Sequence, residues 1–190
     1  MKIGKIGNAG LIDELHITIR DKYGNIKKDY TVTRSVWYRL MKKLGIYHNS
    51  ITYKGMNATA ALIIGEAIDP FIWMDIGTGT NAANNAQTAL QTTLLTSKRA
   101  NCSNIGSVGL VKTDSSSTDN ETCQWVHEFS KANDPDLTGT SDVVTEVGIF
   151  NGDVGSGVML LRITWAGDTM NWNAGDTLTL TIKTQVKQGA

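Results

Sequence analysis

The chain has 190 residues, 41% of them apolar, which is enough for one packed domain and excludes a wholly disordered chain. Its most apolar stretch, 58–73, is interrupted by Glu66, Asp69 and Pro70, so it is too short and too charged to span a membrane. Residues 1–10 contain lysines but no apolar signal-peptide core. We therefore expect a protein that is made in a cytoplasm and has no membrane partner.

The formal net charge is zero, but the charges are divided unevenly along the chain. Residues 1–54 carry eleven Lys and Arg against four Asp and Glu, and residues 55–190 carry seven against fourteen, giving balances of +7 and −7. Two interpretations stay open. In the first, the uneven charge serves association, either head to tail between copies of the chain or between its basic part and an acidic neighbour. In the second, the charges lie on a solvated surface that has no partner. The basic residues are dispersed and form no recognised nucleic-acid-binding motif, so no nucleic-acid partner is expected.

The first predicted element is a β-hairpin. Apolar and polar residues alternate over 11–20, and a second strand is predicted over 26–33. Residues 21–25, with the sequence DKYGN, supply turn chemistry between the two strands.

Two short helices are predicted next. Apolar residues at helical spacing follow Ser35, which can cap a helix, and Gly45 is a natural end. We expect this amphipathic helix to pack against the sheet more readily than to bind a partner. A second short helix, interrupted by Gly65, is predicted over 57–68.

The remainder of the chain reads as strands and turns. The predicted strands cover 71–76, 107–113, 123–130, 143–150, 158–165 and 177–186, with an exposed polar loop at 114–121. Five or more antiparallel strands at this spacing predict a mainly β protein, an antiparallel β-sandwich with an N-terminal β-hairpin and one or two short helices. Residues 1–54 would pack on or extend the main domain, 55–190.

Catalytic and metal-binding patterns are missing from the sequence. The loop Gly77-Thr78-Gly79-Thr80 lacks the Lys of a phosphate-binding loop and the third glycine of a dinucleotide-binding one, so a structural turn is expected. His16, His48 and His127 lie far apart, and none stands at a known catalytic spacing from a carboxylate or nucleophile. We therefore expect no enzyme, no catalytic residue, no metal and no cofactor.

The two cysteines, Cys102 and Cys123, belong to no CxxC or Cys/His cluster, which argues against a zinc site. A disulfide between them and two free thiols both stay open. Free thiols are favoured, because the two residues would not face each other in a simple hairpin.

Glu146 is the most informative charged residue, because it lies inside the otherwise apolar segment 143–150. Its carboxylate is expected either on an outer face or buried beside a partner such as Arg162 or Arg99, and a structural ion pair or hydrogen-bond anchor is favoured. Among the five tryptophans, Trp165 and Trp172 flank a predicted loop at 166–171, which makes them candidates for a binding or subunit surface.

The order of several segments resembles that in structural proteins of tailed-phage virions. The segments are IGTGT at 76–80, TAL at 88–90, Arg99, TEVGIF at 145–150, LLRITW at 160–165 and the alternating strand 177–186. The opening hairpin and helix are also similar to the start of such proteins. Segments 46–69 and 114–121 have no counterpart in the pattern.

The resemblance implies a non-catalytic virion protein: a tail or neck fibre, a collar or a capsid decoration protein. Such a protein would be made in the host cytoplasm, would form homo-oligomers and would dock to other virion structural proteins. The residues expected to serve structure or interfaces are Gly77, Gly79, Glu146, Arg162, Trp165 and Trp172. The alternative is a carbohydrate- or receptor-binding module of a phage fibre, with a host-surface glycan as partner.

Overall fold

The computed structural model describes residues 11–32, 49–102, 111–114 and 121–186. The helix predicted between Ser35 and Gly45 lies outside these residues, as does most of the polar loop predicted at 114–121. Within the described ranges the chain forms ten strands and one α-helix: β1 (Leu11–Arg20), β2 (Ile26–Thr31), β3 (Asn49–Ile51), α1 (Tyr53–Ile63), β4 (Trp73–Gly77), β5 (Ala100–Asn101), β6 (Val111–Asp114), β7 (Glu121–Phe129), β8 (Asp142–Phe150), β9 (Met159–Met170) and β10 (Thr177–Val186).

The strands form two antiparallel sheets, which confirms the predicted mainly β sandwich. The first sheet has the order β2-β1-β10-β7-β6, and the second has the order β3-β9-β8-β4-β5. Apolar side chains from both sheets make up one core, including Leu15, Ile17 and Leu180 from the first sheet and Ile76 and Leu161 from the second. Burial of this apolar surface between the layers is the main stabilising contribution.

The predicted N-terminal hairpin is confirmed as β1 and β2. The Asp21 carboxylate accepts the backbone N–H groups of Tyr23 and Asn25, at 2.8 and 2.9 Å. Gly24 adopts a φ of 82°, a left-handed conformation that favours glycine. Because β1 also pairs with β10 along its whole length, the hairpin is an integral part of the first sheet.

Basic residues of the N-terminal hairpin form ion pairs with acidic residues near the C-terminal strand β10. Lys27 forms an ion pair with Asp176 at 2.8 Å, and Lys28 forms one with Asp168 at 2.6 Å. Tyr30 also donates its hydroxyl to Asp168. Basic residues of the first part therefore balance acidic residues of the last part within a single chain.

Helix α1 covers β9 of the second sheet. Thr52 caps it by accepting the backbone N–H of Gly55 at 2.8 Å. Gly55 lies so close to the sheet that a Cβ there would come within 2.6 Å of the Leu160 Cα. The predicted second helix is thus confirmed, but it begins and ends earlier than the predicted range 57–68. Gly65, with a φ of 82°, lies just after its end.

Strand β9 is longer than predicted. The sequence placed a loop at 166–171, whereas β9 continues to Met170. A register shift accounts for the difference: Val144 pairs with Asp168 and Glu146 with Thr164, so three residues of β9 lie opposite Thr145 alone. The loop prediction was wrong because a bulge with a small, positive-φ residue, Gly167, has the composition of a turn.

Among the described helices, none combines the length and the apolar character that a membrane crossing requires.

Candidate functional site

The Glu146 carboxylate is the acceptor for the loop that follows β4. Its Oε1 accepts the backbone N–H groups of Gly79 and Thr92, both at 2.9 Å. Its Oε2 accepts the N–H of Gln91 at 3.1 Å. One side chain of β8 thereby fixes both ends of the segment between Gly79 and Thr92.

Arg162 on β9 neutralises this carboxylate. Its Nε donates to Glu146 Oε2 at 2.7 Å, and both side chains are fully buried. Its Nη1 donates to the Asn81 carbonyl and to Gln87 Oε1, both at 3.0 Å. The predicted buried ion pair is confirmed, with Arg162 rather than Arg99 as the partner. Burying two charges is costly. These additional hydrogen bonds offset part of that cost, whereas Arg162 Nη2 is buried without a hydrogen-bond partner among the described residues.

Gly77 and Gly79 permit the close approach of backbone and carboxylate. A Cβ on Gly77 would lie 2.3 Å from the Thr92 carbonyl oxygen, and one on Gly79 would lie 2.4 Å from Glu146 Oε1. Neither position has room for a larger residue. The Gly79 N–H is already bonded to the carboxylate, so this loop has a structural arrangement rather than that of a phosphate cradle.

Arg99 holds the glycine-rich turn between β8 and β9. Its Nη1 donates to the carbonyls of Gly152, Asp153 and Ser156 at 2.8, 2.8 and 3.0 Å. Its guanidinium lies over the ring of Phe150, 3.6 Å from the ring centroid. The turn between two inner strands is therefore fixed by a side chain that directly precedes the edge strand β5.

Asp75 on β4 is a further partner of the Arg99 side chain. It accepts the Thr93 hydroxyl at 2.7 Å and lies 3.3 Å from Arg99 Nε. Burial raises the pKa of Asp75 to about 6, and the Thr93 hydrogen bond and the charge of Arg99 offset only part of that effect. The carboxyl group therefore titrates at mildly acidic pH.

A cleft of about 740 Å³ lies between the segment before β5 and the loop after β7. His127 and Asp134 line it and are both buried, with His127 Nε2 3.1 Å from Asp134 Oδ2. Asp136 joins its walls by accepting the backbone N–H groups of Thr96 and Ser97, at 2.8 and 2.7 Å. The sequence alone did not predict the histidine–aspartate pair. The signal available was the acidic turn NDPD at 133–136, separated by three residues from the end of the strand that contains His127.

The described residues contain no group of three or more His, Cys, Asp and Glu side chains placed to hold a metal ion. Both cysteines are free, Cys102 buried and Cys123 exposed, so the favoured prediction of free thiols is confirmed. Burial, together with the negative charge of Asp134, raises the pKa of the Cys102 thiol to about 12.

Trp165 and Trp172 are buried, with exposed fractions of 5% and 1%. Their indole N–H groups donate to Asp168 at 3.1 Å and to Asp142 at 2.9 Å. The expectation that they flank an exposed loop is wrong, because β9 extends through that region and both rings pack into the core. Neither ring offers a platform on which a sugar could stack.

Five of the nine large apolar side chains that are exposed in the described part of the chain lie on α1 or at its C-cap. Five apolar residues on the side of the helix turned away from β9 form what we term the α1 outer face: Tyr53, Met56, Ala60, Ile63 and Ile64. Ile63 and Ile64 are 80% and 73% exposed. Exposed apolar residues grouped on one side of a helix are typical of a site that contacts another protein.

Comparison of the chain with protein-family models, with curated proteins and with solved structures found no match. The fold alone defines its class, a mainly β protein built as an antiparallel sandwich of two sheets.

Proposed function

We propose that this chain is a non-enzymatic structural component of a tailed-phage virion. It acts by assembling with copies of itself and by docking to other virion proteins, in a tail or neck fibre, a collar or a capsid decoration. It is made in the host cytoplasm and becomes part of the particle. The proposal rests on the resemblance of its motif order to that of such proteins.

One observation carries the proposal beyond the order of motifs. The resembling segments, which are distant in sequence, meet at a single carboxylate. Glu146 of the TEVGIF segment binds Gly79 of the IGTGT segment and Arg162 of the LLRITW segment. A fourth segment, TAL at 88–90, packs against TEVGIF, because the Leu90 side chain lies 3.0 Å from a Cβ built on Gly148.

This arrangement favours a framework role for the motif residues. Their hydrogen-bonding groups point at one another inside the protein, where they fix loops and strands. A motif set with this geometry stabilises a rigid module that can be presented repeatedly in an assembly. The α1 outer face supplies an exposed apolar surface of the kind that assembly requires.

The direct test is proteomic analysis of particles from the phage that carries this gene. We expect tryptic peptides of the chain in purified virions at a copy number that is a multiple of the particle symmetry. Labelling with an antibody against the chain, viewed by electron microscopy, would then locate it on the head, neck or tail. Absence from washed virions, while the protein is abundant in infected cells, would refute the proposal.

A further inference from the structure

Two exposed charged residues, which line the groove beside the α1 outer face, both oppose the dipole of that helix. Lys54 is the second residue of α1, where the helix dipole is positive, and Glu66 lies just past its carboxyl end, where the dipole is negative. Glu66 is held at that end because its backbone N–H donates to the Ala61 carbonyl at 2.9 Å. Each charge would be better placed at the other end of a helix.

An antiparallel copy of the same helix provides that placement. Both side chains are exposed, and neither forms an ion pair within the part of the chain that the structure describes. In an antiparallel pair, Lys54 lies at the negative end of the partner helix and Glu66 at the positive end. The two charges then complement the partner's dipole and each other.

A two-fold axis beside Ala60 would bring together residues that lie at equal sequence distances on either side of it. Lys54 and Glu66 are equally distant from Ala60 in sequence, and so are Met56 and Ile64. The small Ala60 side chain, which is exposed, would allow the two helices to approach closely at the crossing point. An interface of this kind is isologous, since the same patch serves both partners.

A groove of about 600 Å³ beside α1 would receive the partner's apolar side chains. It is lined by Ala58, Ala61 and Ile64 and by Val158, which follows the glycine-rich turn between β8 and β9. The exposed isoleucines of a second copy could bury their apolar surface against the alanines and Val158 of this lining.

From these observations we infer that the chain forms a two-fold homodimer through the α1 outer face, with Lys54 of each copy opposite Glu66 of the other. The inference deepens the proposed virion function, because it identifies the surface through which copies join. It can also hold for a homodimer that serves another purpose.

Charge exchange is the sharpest test. Analytical ultracentrifugation should show a concentration-dependent dimer for the unmodified protein. Lys54→Glu and Glu66→Lys should each weaken dimerisation by about tenfold, because two symmetric attractions become repulsions. The double variant K54E/E66K should restore the dimer. Both residues are exposed, and unchanged melting temperatures would show that the fold is intact.

A cross-linking experiment tests the position of the axis. In a Cys123→Ser background, Ala60→Cys should give a disulfide-linked dimer on mild oxidation, because two copies of this residue meet at the axis. The matched control is Ala132→Cys in the same background, since Ala132 is also an exposed alanine, in the loop after β7. The control should stay largely monomeric on a non-reducing gel.

Two results would overturn the inference: a monomer at all concentrations up to about 1 mM, or a dimer whose stability is unaffected by either single charge reversal. Neither result bears on presence in the virion, which the proteomic test measures independently. A dimer that forms through α1 while the chain is absent from particles would refute the proposed function and leave the interface standing.

Discussion

Arg162 donates from Nε to Glu146 Oε2 over 2.7 Å in a site where neither side chain has any exposed surface. A pair of this kind contributes little net stability by itself, but removing one partner leaves an uncompensated buried charge. The same carboxylate accepts three backbone N–H groups, from Gly79, Gln91 and Thr92. Removing either charge should therefore disturb β8, β9 and the 79–92 segment together.

Glu146→Gln should lower the free energy of unfolding by about 3–5 kcal/mol, because Arg162 then stays charged without a counter-ion. Urea denaturation followed by tryptophan fluorescence measures this change. Glu128→Gln on β7 is the matched control, and its exposed side chain should give a change within about 0.5 kcal/mol. The double variant Glu146→Gln with Arg162→Met should lose less than the sum of the two single losses. Simple additivity would contradict the coupling.

Gly77→Ala should destabilise the protein by about 3 kcal/mol, since the new methyl group would lie 2.3 Å from the Thr92 carbonyl oxygen, a backbone atom that cannot easily move. Gly155→Ala separates this steric effect from backbone strain. Gly155 has a φ of 77° and open space around it, so alanine there should cost only about 1–2 kcal/mol. Both variants are measured by thermal and urea unfolding. If Gly77→Ala and Gly155→Ala lower the free energy of unfolding by the same amount, Gly77 has no additional steric role.

Asp75 should make stability depend on pH in an unusual direction. Because the pKa of Asp75 is raised from 3.8 to about 6 in the folded protein, the folded state holds this proton more tightly than the unfolded state. Its contribution to the free energy of unfolding is therefore largest below about pH 4 and is lost as the pH rises through 6. Relative to Asp75→Asn, the unmodified protein should gain on the order of 3 kcal/mol between pH 7 and pH 4.

Asp136→Asn is the control for this experiment, because the pKa of Asp136 is shifted in the opposite direction. Hydrogen bonds from Ser97 and Thr96 lower the pKa of Asp136 below its ordinary 3.8. The stability that Asp136 contributes is present above that value and is lost as the pH falls below it. Parallel pH profiles of the two variants against the unmodified protein would show that neither shift operates as described.

The two cysteines should differ sharply in reactivity. Burial raises the pKa of Cys102 to about 12, so almost no thiolate forms at pH 8, whereas Cys123 is exposed. A colorimetric thiol reagent should therefore titrate one thiol per folded chain and two after unfolding. Cys123→Ser should abolish the fast reaction. Rapid labelling of both thiols in the folded protein would mean that the packing around Cys102 opens readily.

Strand positions were predictable where one face of a strand is exposed. β1 and β10 alternate buried and less buried residues along their described side chains, so period-two patterning located both. The extension of β9 to Met170 was not predictable, because its bulge residues 165–167 have no regular period. The sequence also cannot show that β1 would pair with β10, since neither contains a signal for its distant partner.

The candidate site was predictable only in part. An acid in an apolar strand needs a partner, and that requirement pointed to Glu146 and an arginine. Which backbone N–H groups would join them depends on how the 79–92 segment folds back. The same limit applies to His127 and Asp134, because their contact is created by the conformation of a loop.

The pairing of β1 with β10 has a consequence for how the protein is made. β10 is the central strand of the first sheet, flanked by β1 and β7, so this sheet lacks its middle until residues 177–186 have left the ribosome. β4, β8 and β9 of the second sheet can associate earlier in synthesis. We therefore expect a slow, late folding step governed by distant contacts, during which the open edges of β1 and β7 are vulnerable to aggregation.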